Sequence, residues 1–235
     1  MKKIVITGGS GRFGIILKKI RSKNNLFFPD KKKLNIESFK SIKNYLNKIK
    51  PDILIHLAGL SRPMSIHDAD IKRSINLNII GTANITKACE EKNIKLIYFS
   101  TNYVYPGKKG NYKESHSLLP VNSYAWSKLG GEASVQLYKN SLILRVCMTE
   151  KPFVHKIAFS NVITSFTYHE NIAKILFKLI NKKGMINIGG PTMSVYDFAK
   201  KDNRFVIKKR LKEKNKIGIP INSSLNINKL KKILK

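Results

Sequence analysis

The chain has 235 residues, 42% hydrophobic and 25% charged, the proportions of a folded globular protein large enough for one domain with a small appended lobe. Its longest apolar runs, residues 52–60 and 141–146, are too short to cross a bilayer, and the run after Met1 is too short for a signal peptide. A cytoplasmic protein with no membrane partner is the expectation.

Charge is the unusual quantity: 45 basic against 14 acidic residues gives +31. Of the basic residues 38 are Lys and seven are Arg, whereas surfaces that read bases or fork phosphates favour Arg. A solvated Lys-rich surface is expected, with no specific nucleic-acid partner and only salt-sensitive attraction to polyanions. Cys89 and Cys147 stand in no metal-ligand spacing and read as small apolar residues. His67, His116, His155 and His169 form no ligand set either, so no metal is expected.

Short β-branched runs alternate with helical stretches. Lys3–Thr7 reads as a buried strand, followed by a glycine turn and a helix over Phe13–Ile20; Leu26–Phe28 reads as a second strand. Apolar residues recur at helical spacing over Ile36–Ile49, a strand covers Asp52–Ala58, and a helix covers Ile71–Glu91. Then come a strand at Ile94–Ser100, a helix at Tyr124–Tyr138 and a strand at Ser141–Val146. Such alternation predicts an α/β fold, a doubly wound parallel sheet of the Rossmann type with helices on both faces. The expected division is a dinucleotide-binding domain over 1–150 and a short substrate lobe over 151–235, interleaved with the main domain. In the latter, Thr167–Ile180 and Val195–Lys200 read as helices and Met185–Ile188 as a strand. Lys208–Lys216 is expected to be an exposed, mobile charged stretch.

The chemistry-bearing residues cluster at the ends of these strands. Thr7-Gly-Gly-Ser-Gly-Arg-Phe-Gly14 joins the first strand to the first helix. Glycines at 8, 11 and 14 suit a tight turn, close approach of a pyrophosphate, and close helix–sheet packing. Asp30, about 20 residues on, is the candidate for holding a ribose, and the adjacent Lys31-Lys32-Lys33 slightly favours NADP over NAD. Tyr124 and Lys128 lie one helical turn apart, so an ammonium can favour the phenolate for proton exchange near neutral pH. Thr101 ends a parallel strand at its carboxyl end, where such sheets bind ligands. Arg62 follows the third strand, within reach of a phosphate or of a salt bridge. His56, on an apolar strand, reads as a satisfied core histidine, and Trp126 as packing.

In this order and spacing the motifs resemble the extended short-chain dehydrogenase/reductases over nearly the whole chain, and among them the dTDP-4-dehydrorhamnose reductase-like group. Thr7–Gly14 is similar to the cofactor loop, Pro51–Gly59 to the third strand beside the adenosine ribose, and Asn78-Ile-Ile-Gly-Thr82 to the fourth-helix motif. Thr101-Asn-Tyr-Val-Tyr105, Tyr124–Glu132 and Pro220–Leu225 continue the agreement. The resemblance implies a catalytic trio of Thr101, Tyr124 and Lys128. Cofactor contacts would come from Gly8, Ser10, Gly11, Arg12, Phe13, Gly14, Asp30, Lys31, Leu57, Ala58, Gly59 and Asn78, and again from Tyr124 and Lys128. Substrate contacts would come from Asn102, Tyr103 and Val104. The activity implied is NAD(P)-dependent reduction of a nucleotide-linked 4-keto sugar, with Tyr124 as general acid; a homodimer stays open. Asn102 stands where the group usually has an acid, which argues against a dehydratase. An epimerase on the same fold, or a non-catalytic NAD(P)-binding regulatory subunit, remains an alternative.

Overall fold

The computed structural model describes residues 1–212 and 218–235, so part of the charged stretch 208–216 lies outside the described residues. Up to residue 146 the elements are β1 (Lys3–Thr7), α1 (Arg12–Lys18), β2 (Asn25–Phe27), α2 (Phe39–Ile49), β3 (Ile53–His56), α3 (Ile66–Ala69), α4 (Ile71–Ser74), α5 (Gly81–Glu91), β4 (Lys95–Thr101), α6 (Ser123–Gln136) and β5 (Ser141–Val146). The expected single helix over Ile71–Glu91 is present as α4 and α5 joined by a π-helical segment, Ile75–Ile80. Ser38 and Asn122 start α2 and α6 by accepting from Ser41 and Ala125 backbone N–H groups.

After β5 come β6 (Met148–Thr149), β7 (Ile157–Phe159), β8 (Ile163–Thr164), β9 (Thr167–Tyr168), α7 (His169–Leu179), β10 (Gly184–Ile188), β11 (Met193–Ser194), α8 (Val195–Ala199), β12 (Ile207–Lys209) and α9 (Asn228–Leu234). Two sequence expectations change here. The helix predicted from Thr167 begins at His169, because Thr167–Tyr168 pairs with Met148–Thr149. The stretch beginning at Lys208 is anchored where it is described: Ile207–Lys209 pairs with Ile157–Phe159, and Leu211 is clasped by the Asn161 side chain through bonds of 2.7 and 2.9 Å.

Six parallel strands form the central sheet in the order β10-β5-β4-β3-β1-β2. Strand alternation sends successive residues to opposite faces. Ile4, Ile6, Ile55, Ile97, Phe99 and Leu144 pack with α1, α7 and α9 on one face. Val5, Leu54, Leu96, Tyr98 and Ile143 pack with α2, α5 and α6 on the other. Each fully buried aliphatic side chain contributes about 1.5–3 kcal/mol of transfer free energy, so covering both faces is what makes near-continuous apolar strands stable. The chain leaves β1 towards β2 and returns to its other side at β3. The carboxyl ends of β1 and β3 therefore open a crevice at the sheet's switch point.

Candidate active site

The glycine loop is built by backbone approach. Gly8 has φ +72°, and a Cβ there would lie 2.6 Å from the Ala58 nitrogen; one at Gly14 would lie 2.4 Å from the Gly8 oxygen. Gly11 differs: its φ is −73°, and an added Cβ would meet only the Gly8 oxygen, at 3.2 Å. The loop is thus closed underneath and open above Gly11, a concavity that fits the pyrophosphate of a dinucleotide. Ser10, Gly11 and Arg12 form its exposed rim, while Phe13 is buried against Phe99.

Behind the loop, Thr7 Oγ1 accepts from the Leu57 and Ala58 N–H groups, each at 3.2 Å, fixing the end of β3 against β1. His56 lies between Thr7 Oγ1 (2.8 Å) and Thr82 Oγ1 (3.2 Å), and burial, then the Lys128 charge, pushes it down to about 3. It is a neutral core histidine. Asn78, in the π segment, bonds Leu60 through both ends of its amide (2.7 and 2.9 Å) and donates to Ser127 Oγ at 2.8 Å. It braces the loop after β3 against α6. Asp30 and Lys31 are engaged locally: Asp30 Oδ1 accepts from Lys33 N at 2.9 Å, and Lys31 Nζ pairs with Glu37 at 2.9 Å.

Tyr124 and Lys128 come from α6, and Thr101 from the end of β4. Burial raises the Tyr124 phenol's pKa, while the Thr101 hydroxyl, Arg62 and Arg12 pull it back down. Arginines from the loop after β3 and from α1 are thus cations that favour this phenolate. Burial brings the Lys128 ammonium down to about 7, against the opposing charge of Glu132. Its Nζ lies 4.2 Å from the centroid of the Tyr98 ring. Arg12 and Arg62 share one carboxylate: Glu150 Oε1 is 3.3 Å from Arg12 Nε and 2.9 Å from Arg62 Nη1. Burial opposes ionisation of Glu150, but Arg62, its own backbone N–H and Arg12 prevail and hold the carboxyl below its usual range.

Beside this group opens a cavity of about 390 Å³, whose lining includes Arg62, Tyr103, Phe153, His155, Lys156 and Phe166. Of the expected substrate residues, Tyr103 lines it and meets the Tyr124 ring edge-on at 6.5 Å. Asn102 and Val104 do not, because residues 102–104 form a tight 3-10 turn that sends them inward. Val104 is fully buried beside Tyr105 and Leu225. Asn102 donates to Ser223 O and Oγ (3.2 and 3.0 Å), and Ser223 itself lines the cavity. Sequence reasoning missed the walls supplied by residues 153–166, which carry no periodic signal; their only cue was aromatic and basic residues after residue 150.

Underneath, Arg145 and Glu132 form an ion pair at 2.6 Å, 2% and 0% exposed. Ser100 Oγ donates to Glu132 Oε2 at 2.5 Å, and Arg145 donates to Tyr105 Oη at 2.8 Å. The network ties α6, β4 and β5 together just beneath Thr101 and Tyr124.

A doubly wound parallel sheet with a glycine loop at its switch point and a Tyr–Lys pair on the adjoining helix defines a protein of the Rossmann-type α/β class. Residues 1–158 match the model of the RmlD substrate binding domain, and the chain belongs to that family. It is 27% identical over 209 residues to dTDP-4-dehydrorhamnose reductase of Aggregatibacter actinomycetemcomitans, covering 83% of this chain and 64% of that protein. It is 28% identical over 155 residues to methionine adenosyltransferase 2 subunit beta of Xenopus laevis, covering 62% of this chain and 46% of that protein. This chain thus spans about half to under two-thirds of these relatives. Among solved structures, dTDP-4-dehydrorhamnose reductase from Bacillus anthracis in complex with NADP superposes with a TM-score of 0.87 at 25% identity, covering 98% of this chain and 92% of that one.

Proposed function

We propose that the chain is an NAD(P)-dependent reductase of a nucleotide-linked 4-keto sugar, with NADP narrowly favoured over NAD. The observation that carries this reading is the placement of Tyr124: the Thr101 hydroxyl at the end of β4 acts on its phenol, and its ring meets edge-on that of Tyr103, which lines the aromatic, basic cavity. Gly8–Gly14 and Leu57–Gly59 would seat the dinucleotide, with Asn78 bracing the second loop and Asp30 and Lys31 near the adenosine end. When bound, the nicotinamide supplies the hydride. Thr101 and Tyr124 hold the substrate's carbonyl oxygen, and Tyr124 gives it the phenolic proton. Lys128, at about 7, exchanges protons at neutral pH and restores the phenol. Tyr103, Phe153 and Phe166 offer ring faces to a nucleobase, while Arg62 and Lys156 offer charge to a diphosphate.

Similarity to a methionine adenosyltransferase subunit supports a second reading, a dinucleotide-binding regulatory subunit. The cavity beside Tyr124 favours the first, since a regulatory subunit needs no substrate pocket there. NADPH oxidation by purified protein, followed against a panel of nucleotide-linked 4-keto sugars, separates them. Turnover with at least one sugar is expected; NADPH binding without turnover on any would favour the regulatory subunit.

A further inference from the structure

His67 on α3 is 1% exposed, and its two ring nitrogens are treated unequally. Nδ1 lies 2.7 Å from Ser74 Oγ, whereas Nε2 is enclosed with no hydrogen-bond partner. His56, the other deeply buried histidine near the site, has both nitrogens engaged. A buried ring nitrogen left without a conventional partner is rare enough to require an explanation. The neighbour that supplies one is Tyr124: the two ring centroids are 5.2 Å apart and the planes are tilted by 59°. This separation and tilt suit an N–H directed at a ring face, a weak but recurrent contact. The mounting is firm, because Ser123 in the first turn of α6 donates its hydroxyl to Asp68, the residue after His67.

We propose that His67 is a positioning residue for Tyr124: Ser74 donates to Nδ1, leaving the hydrogen on Nε2, and that N–H faces the phenol ring, steadying it against Thr101 and favouring phenolate over phenol. The proposal deepens the reading of Tyr124 as proton donor and rests on it for its kinetic consequences. Burial favours the neutral imidazole. Burial lowers its pKa, Lys128 on α6 lowers it further, and Asp68 on its own helix opposes both. Around Tyr124 the other charges are Arg62 from the loop after β3 and Arg12 from α1. A neutral N–H donor is therefore what His67 presents to the ring across the neutral range.

The test isolates the Tyr124 phenol by ultraviolet difference titration of the whole chain, each protein compared with its own Tyr124→Phe derivative. His67→Phe keeps a ring in the wall but removes the N–H; His67→Gln restores a donor near the Nε2 position. In His67→Phe the phenol should ionise at higher pH, and in His67→Gln it should return towards the parent protein. With an active substrate, kcat should fall about two- to fivefold in His67→Phe, the worth of one weak contact, with KM unchanged and rescue by His67→Gln. Ser74→Ala, which releases the tautomer, should give a smaller shift of the same sign and serves if His67→Phe does not fold. An unchanged titration in His67→Phe and Ser74→Ala, or equal shifts in His67→Phe and His67→Gln, overturns the proposal. The titration needs no turnover, so it decides the His67 contact even if Tyr124→Phe proves fully active and the proposed reaction fails.

Discussion

Gly8 and Gly11 stand three residues apart in one loop, yet the same substitution has different consequences at each. At Gly8 the positive φ and the Ala58 backbone leave no room for a Cβ, so a side chain there disrupts the fold. At Gly11 the backbone is one that any residue adopts, and only the Gly8 oxygen lies near. Gly11→Val should therefore fold with a melting temperature close to the parent protein's and lose dinucleotide binding, because the valine occupies the open side of the loop. Calorimetry with NADPH checks this, and undiminished binding by the folded variant would remove the loop from the cofactor site. These glycines were legible in the sequence because steric demand writes directly into residue type, and Thr101, Tyr124 and Lys128 because their spacing does. Asn102 and Val104 were not, since a single tight turn after β4 decides which way each side chain faces. Nor could spacing show that Arg62 and Arg12, remote in sequence, supply the charge felt by Tyr124.

At the scale of elements, the Glu132–Arg145 pair holds α6 to β5, with Ser100 bringing in β4. Both charges are dry, so the pair matters most for what its loss would strand. Arg145→Met should cost about 3–5 kcal/mol by leaving the Glu132 carboxylate buried without its partner. Arg145→Met combined with Glu132→Leu should recover much of that loss. Urea unfolding of the single and double variants measures both, and a single variant within about 1 kcal/mol of the parent would contradict the account. The strands of the central sheet were legible as short β-branched runs, five residues or more in β1, β4, β5 and β10. The small strands around the cavity were not, because pairs of two or three residues carry no period. The π segment was hidden for a related reason: Ile71–Glu91 keeps its apolar spacing through the extra residue, which shows only in where Asn78 points.

For the whole molecule, burial of basic groups writes a particular pH dependence into stability. His56 titrates near 6.5 when unfolded and at about 3 when folded. Between those values the unfolded chain binds a proton that the folded chain refuses, so stability rises with pH across that window and is lost on acidification. His67, His155 and His169 are lowered as well and act in the same direction. Lys128 and Lys95, brought from 10.5 to about 7 and about 8, add a second rise on the alkaline side, for the same reason of sign. Thermal melts from pH 3 to 7 should show the acid-side slope, and His56→Gln should flatten it. An unchanged slope in that variant would mean that His56 does not hold its neutral form on folding. Fold class was the property most legible at this scale, since alternation of strand and helix leaves few topologies. The cavity was the least, because it is assembled from segments whose neighbours in space are distant in sequence.

Tyr124, the phenol beside Thr101 at the carboxyl end of the sheet, carries the proposed chemistry. Its direct test is a pre-steady-state comparison of the parent protein and Tyr124→Phe, with cofactor affinity measured on the same samples and a nucleotide-linked keto sugar as substrate. The predicted result is unchanged NADPH affinity with hydride transfer slowed by at least ~100-fold, the usual worth of a positioned general acid. Near-parental transfer by the folded, cofactor-bound Phe variant would contradict it.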